Sequence, residues 1–212
     1  MARAARAALR LDTVLFAPVG AQPLKPGGTG AEFADRVEMT RLAIEGEAGF
    51  GLSLADAPTP GGKPNYTLET LLRLRAELPE ESALYCLMGA DSYFGLRGWH
   101  RAAEIPFAAP LIVASRPGQR LDGLEAALPA GLTLEAAAEK EEAGAEMRRY
   151  FVVNGAGERT PFYLLAGLNV EISASAIREE MEAARGSETV EELLPGAVVE
   201  YIRAHGLYGG SR

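Results

Sequence analysis

The sequence predicts an α/β fold, a doubly wound and mainly parallel sheet covered by helices on both faces. Three observations carry this reading. Five apolar runs bounded by turn residues, at residues 13–18, 50–55, 83–89, 110–114 and 162–170, read as buried strands. Amphipathic stretches separate them, and a parallel pair of strands needs a crossover element of that kind. The 212-residue chain is 48% hydrophobic and 24% charged, the composition of a folded domain with a sizeable core.

In chain order, MARAARAALR opens as an amphipathic helix, although its arginines and lack of acids also suit an organelle-targeting peptide. TVLFAP is the first strand. Residues 33–47 then set Val37, Leu42 and Ile44 among charges, as a surface helix does. FGLSLA is the second strand, and residues 68–78 repeat leucine at Leu71, Leu72 and Leu74 on a second helix. ALYCLMG and PLIVA follow as strands. Residues 118–157, with EAAAEKEEAGAEMRR, lack apolar periodicity and read as a charged, solvated insertion within a single domain spanning residues 1–212. After the strand PFYLLAGLNV, Ser173 or a neighbour caps a helix running to about Arg185. Pro195 then begins a last helix that ends before Gly206 and turns Val198, Val199 and Ile202 to the core.

Charge and composition exclude several classes. Lys and Arg number 21 against 29 Asp and Glu, a net charge of −8 that disfavours non-specific nucleic acid as a partner. No run of 18 apolar residues is present, so no membrane span is expected. One cysteine, Cys86, cannot form an internal disulfide, and a reducing cytoplasm fits it best. The two histidines, His100 and His205, lack metal-ligand spacing.

In a doubly wound fold, ligands sit beyond the carboxyl ends of the strands, which directs attention to five loops. In NVEISASAIREEM a strand gives way to a helix within a few residues. Ser173 and Ser175 stand there with free N–H groups and Arg178 one turn further in, a site for phosphate or a plain cap. In LMGADSYFGLRGWHRAAEI, Gly89 permits close backbone approach, Asp91 can accept from ribose hydroxyls, and Trp99 offers a flat face to a heteroaromatic ring. A helix cap and a core tryptophan are the plainer readings. PVGAQPLKP presents Lys25 on a proline-stiffened loop. KPNYTLETL sets Tyr66 and Thr67 before a helix, where Thr67 can cap and leave N–H groups for a carboxylate. Arg116, in SRPG, adds a cation. The loops together suit an anionic, ring-bearing ligand.

These residues resemble bacterial nicotinate-nucleotide adenylyltransferases, of the nucleotidyltransferase superfamily. The resemblance rests on VLFAPVGAQPLKP, DRVEMTRLAI, PNYTLETL, LMGADSYFGLRGWHRAAEI, LIVASRPG, ISASAIR and LLPGAVVEYIRAHGLY, in the family's order. It implies a Rossmann-like fold and adenylyl transfer from ATP to nicotinate mononucleotide, giving deamido-NAD and pyrophosphate. Trp99 would stack on the nicotinate ring and Tyr66 with Thr67 would hold its carboxylate. Gly89 and Asp91 would hold a ribose, while Ser173, Ser175 and Arg178 would hold ATP phosphates. Lys25 and Arg116 would add positive charge, and Mg²⁺ would ride on the ATP phosphates.

The family also has a first, central strand followed by a glycine-rich turn and an HxGH motif, and this sequence has neither. Leu24 stands where the family has a further histidine before Lys25. MARAARAALRLD matches the continuation of the first helix. The expectations are therefore a native product that begins upstream, a 212-residue chain inactive by itself, and neighbouring strands left two spacings, about 10 Å, apart. Two rivals stay open: another acceptor such as pantetheine phosphate or nicotinamide mononucleotide, and a non-catalytic nucleotide-binding module.

Overall fold

The computed structural model describes residues 1–20, 31–59, 61–115, 123–137, 147–165 and 194–208. Along the chain the elements run α1 (Ala2–Leu9), β1 (Val14–Phe16), α2 (Phe33–Ile44), β2 (Phe50–Leu52), α3 (Thr67–Glu77), β3 (Cys86–Gly89) and α4 (Ala90–Phe94). They continue with α5 (Ile105–Ala108), β4 (Leu111–Ala114), α6 (Leu124–Ala127), β5 (Leu132–Ala136), β6 (Met147–Asn154), β7 (Arg159–Leu165) and α7 (Gly196–Ala204). The chain divides into two compact units, residues 1–12 with 66–170 and residues 13–65 with 171–212.

The first unit is built on a five-stranded sheet in the order β3-β4-β7-β6-β5. β3, β4 and β7 are mutually parallel, whereas β6 runs antiparallel to both β7 and β5. β4 lies inside the parallel part, and all four of its residues are buried. Leu111 and Val113 enter a core with Tyr93, Leu96, Ile105, Leu128, Phe162 and Leu164. Ile112 and Ala114 enter another, with Ala5, Tyr163 and Leu165. A strand covered on both faces needs an unbroken apolar run, and LIVA supplies it. Each large side chain so buried contributes about 1.5–3 kcal/mol. Ala5 of α1 has no exposed surface, so a helix with two arginines still seats its smallest side on the sheet.

Residues 118–157, read from sequence as a solvated insertion, contain β5 and β6 and so supply the antiparallel part of this sheet. Leu128 and Val152 are fully buried. The strand signal is there in MRRYFVVN, with Tyr150 and Val152 on the core side. Adjacent arginines and the preceding acidic run obscure it. The first strand was expected to lie two spacings from the third across an absent neighbour. Among the described residues, β1 pairs only with β2 and β3 only with β4, in two separate sheets.

The second unit holds the parallel pair β1–β2, where Phe16 and Phe50 bring their rings to 5.1 Å between centroids. α7 forms as expected between Pro195 and His205 and buries Val198, Val199 and Ile202. Its Tyr201 hydroxyl donates to Asp35 Oδ1 of α2 at 3.0 Å. The loops leaving β1 and β2 are stitched together. The Arg36 guanidinium donates to the carbonyls of Val19 and Gly20, and the Asn65 amide donates to Asp56 O at 2.7 Å and Ala57 O at 2.8 Å. Gly20 packs so closely that an added Cβ would lie 2.5 Å from Asp56 O and 2.7 Å from Pro58 N. The helix expected from Ser173 to about Arg185 lies outside the described residues. Among the described residues no helix is long and apolar enough to cross a membrane.

Two outcomes follow from this packing. Gly20→Ala forces backbone apart and should cost about 1–3 kcal/mol, measured by thermal denaturation. Gly155→Ala, whose methyl meets nothing within 4 Å, should leave the melting temperature almost unchanged. Burial pushes the Cys86 thiol up to about 11. The thiolate fraction at pH 8 is then about one in a thousand, so iodoacetamide should label native protein far more slowly than protein unfolded in urea.

Candidate functional site

Three segments of the first unit carry the sequence-predicted residues that are described: the start of α3, the β3–α4 junction, and the turn after the 3-10 helix Leu96–Gly98. α3 begins without a side-chain cap. The sequence reading has Thr67 as the cap; instead Tyr66 takes the N-cap position in extended conformation (φ −114°, ψ 139°), and Thr67 is the first helical residue. The Thr70 N–H donates to Tyr66 O at 3.1 Å, closing the first turn. The N–H groups of Thr67, Leu68 and Glu69 therefore have no intrahelical acceptor, which is the usual donor set of a helix start.

At the second segment, Gly89 ends β3 and caps α4 with φ −74° and ψ 155°. Nothing lies within 4 Å of a Cβ built on it, so the space above this strand end is open. Its ladder partner is Ala114, the last residue of β4, so two parallel strands finish side by side here. Asp91 stands exposed in the first turn of α4. The helix is fixed from behind. The buried Tyr93 hydroxyl donates to Leu124 O at 2.7 Å, and burial raises its pKa well above the usual phenol range. Arg97 Nε donates to Leu128 O at 2.6 Å.

Trp99 closes the 3-10 turn, its N–H donating to Leu96 O at 2.9 Å, and packs half-buried against the larger core. The core reading of this residue and the ring-binding reading therefore meet in one side chain, anchored at one part and accessible at another. His100 lays its ring on that of Tyr66, centroids 4.2 Å apart and planes inclined by 30°. Thus the structure brings the Trp99 turn and the Tyr66–Thr67 turn together. Arg101 adopts a left-handed conformation (φ 49°) and grips Glu104 through two hydrogen bonds of 2.8 and 2.6 Å. The Arg101 hydrogen bond holds the Glu104 carboxyl below its usual range.

Sequence reasoning passed over Glu69. Its carboxylate lies 3.7 Å from His100 Nε2 and 3.9 Å from Arg101 Nη1. Its place in the first turn of α3 does not by itself point to these partners, which lie on another segment of the chain. Lys25, Arg116, Ser173, Ser175 and Arg178 lie outside the described residues. Among the described residues no group of three His, Cys, Asp or Glu side chains could hold a metal ion. An open groove of about 480 Å³ runs beside α3 over Leu68, Leu72, Phe107 and Leu132, but its charged groups are Glu104 and Glu158. That polarity suits an anionic ligand poorly, and the turns around Tyr66, Gly89 and Trp99 suit it better.

No protein-family model matches the chain. A curated relative from Gloeobacter violaceus, "Probable nicotinate-nucleotide adenylyltransferase", is 39% identical over 208 residues, covering 98% of this chain and 87% of the relative. A relative of the same name from Dehalococcoides mccartyi is 32% identical over 203 residues, covering 94% and 84%. Among solved structures, the Plasmodium falciparum nicotinic acid mononucleotide adenylyltransferase complexed with NaAD superposes with a TM-score of 0.63 at 14% identity, over 93% of this chain and 82% of that one. That likeness establishes a shared fold, a Rossmann-like nucleotidyltransferase architecture. With such identity over nearly its whole length, the chain belongs to the nicotinate-nucleotide adenylyltransferase family.

Proposed function

We propose that the chain transfers the adenylyl group of ATP to nicotinate mononucleotide, a step of NAD biosynthesis. Family membership over almost the entire chain carries this reading. In the reaction a phosphate oxygen of the mononucleotide attacks the α-phosphorus of ATP, the bond to the β-phosphate breaks, and pyrophosphate leaves with the electron pair. Deamido-NAD is the other product. Positioning and charge neutralisation account for most of the catalysis in such a displacement.

Residue by residue, Trp99 gives its accessible face to the nicotinate ring, and the Tyr66–Thr67 turn takes the ring carboxylate through free N–H groups and a hydroxyl. The open space over Gly89 admits a ribose, with Asp91 accepting from its hydroxyls. Ser173, Ser175 and Arg178 are assigned to the ATP phosphates, and Lys25 and Arg116 to neutralising developing charge. Mg²⁺ carried by the triphosphate would supply further neutralisation, a role that calls for no acidic cluster on the protein. The cytoplasm, which holds ATP and keeps Cys86 reduced, is the fitting compartment.

A nucleotide-binding module without turnover is the second reading. The observation favouring it is Leu24, which stands where the resemblance places a further histidine before Lys25. Pyrophosphate release from ATP with nicotinate mononucleotide, nicotinamide mononucleotide or pantetheine phosphate separates the readings. Release with the first acceptor above the others supports the proposal. Binding of that acceptor without release supports the module, and release with pantetheine phosphate alone overturns the assignment.

Two variants probe the site itself. Trp99→Ala should weaken nicotinate mononucleotide binding about tenfold by calorimetry, the worth of one ring stack. Gly89→Ala should hold its melting temperature, because the methyl points into open space, yet lose nucleotide affinity because that space is where the ligand lies.

A further inference from the structure

The structure assigns Glu69 a positioning role: it clamps the Trp99–Arg101 turn to the first turn of α3 and so holds Tyr66 and Trp99 in register for the acceptor nucleotide. Four observations converge on it. Glu69 Oε1 lies 3.7 Å from His100 Nε2 and 3.9 Å from Arg101 Nη1, so one carboxylate engages two consecutive residues of the turn. His100 in turn stacks on Tyr66, which immediately precedes the helix that carries Glu69. Arg101 is held in its left-handed conformation by Glu104, so the turn has a fixed shape that Glu69 can grip. Finally, Glu69 Oε2 is buried with no hydrogen-bond partner, so the carboxylate is left to the contacts that Oε1 makes with His100 and Arg101.

The groups facing His100 are Tyr66, Glu69 of α3, and Arg101 and Glu104 from its own turn. The side chains of both partners are more than a third exposed, 44% for His100 and 40% for Glu69, so the effect of the clamp is modest.

This inference rests on the acceptor reading above, and the test separates the two. Trp99 is the only tryptophan, so its emission reports acceptor binding in the full chain without any need for turnover. Nicotinate mononucleotide is titrated into the wild-type chain, E69Q, H100F and the double variant. H100F keeps a ring on Tyr66 and removes only the contact with Glu69. E69Q and H100F should each raise the Kd roughly two- to five-fold with a wild-type melting temperature. The double variant should be no worse than E69Q, which already removes the contact that H100F removes. Should E69Q fail to fold, H100F measures the pair from its other partner. No emission change in the wild-type chain would overturn the acceptor reading and this inference with it. Wild-type binding with both single variants unchanged would overturn the clamp alone.

Discussion

Parallel pairing of β3 with β4 and of β4 with β7 is the constraint on which the first unit depends. Parallel strands finish at a common end, so Gly89 and Ala114 fall opposite each other and their outgoing loops leave together. The arrangement requires β4 to be covered on both faces. Its residues Leu111 to Ala114 alternate between two cores, one closed by Tyr93, Phe162 and Leu164 and the other by Ala5 and Tyr163. Loss of either cover would expose a strand with no polar face, and the strand ends would lose their common position.

Much of this was legible because buried parallel strands leave a plain mark. LIVA at Leu111–Ala114 and CLMG at Cys86–Gly89 are short apolar runs between turn residues, and both are strands. The antiparallel part was not legible. The strand Met147–Asn154 carries the apolar run Tyr150 to Val153, but Arg148 and Arg149 beside it and the acidic stretch before it obscure that run. The site divides in the same way. Tyr66, Gly89 and Trp99 stand out because residue type and position suffice to suggest what each could bind. Glu69 does not, because its significance comes from what faces it across space, His100 and Arg101, and no spacing along one helix reveals a partner on another segment. Thr67 was misread as a cap because threonine before a helix usually is one; here the chain enters α3 one residue earlier, with Tyr66 extended.

The second unit solves a related problem by other means. Its two strands are only three residues each, too short to fix the loops they emit. Polar side chains do that work: Arg36 reaches the carbonyls after β1, and Asn65 reaches those after β2. Backbone carbonyls without a ladder partner need a donor, and a guanidinium and a carboxamide each supply more than one. Gly20 completes the join by letting two stretches of main chain touch. Substitution in these loops therefore acts on shape before it acts on any ligand.

The pairing of Leu111 with Phe162 also has a consequence for synthesis on the ribosome. β6 and β7 adjoin in sequence and can associate as soon as both have emerged, but β4 is made long before either and waits with its hydrophobic flank uncovered. A nascent chain that has reached Ala114 thus carries a sticky, half-built layer that only a later hairpin can seal. Translation speed over the intervening stretch and access to a chaperone should then govern the yield of this protein as much as its final stability does.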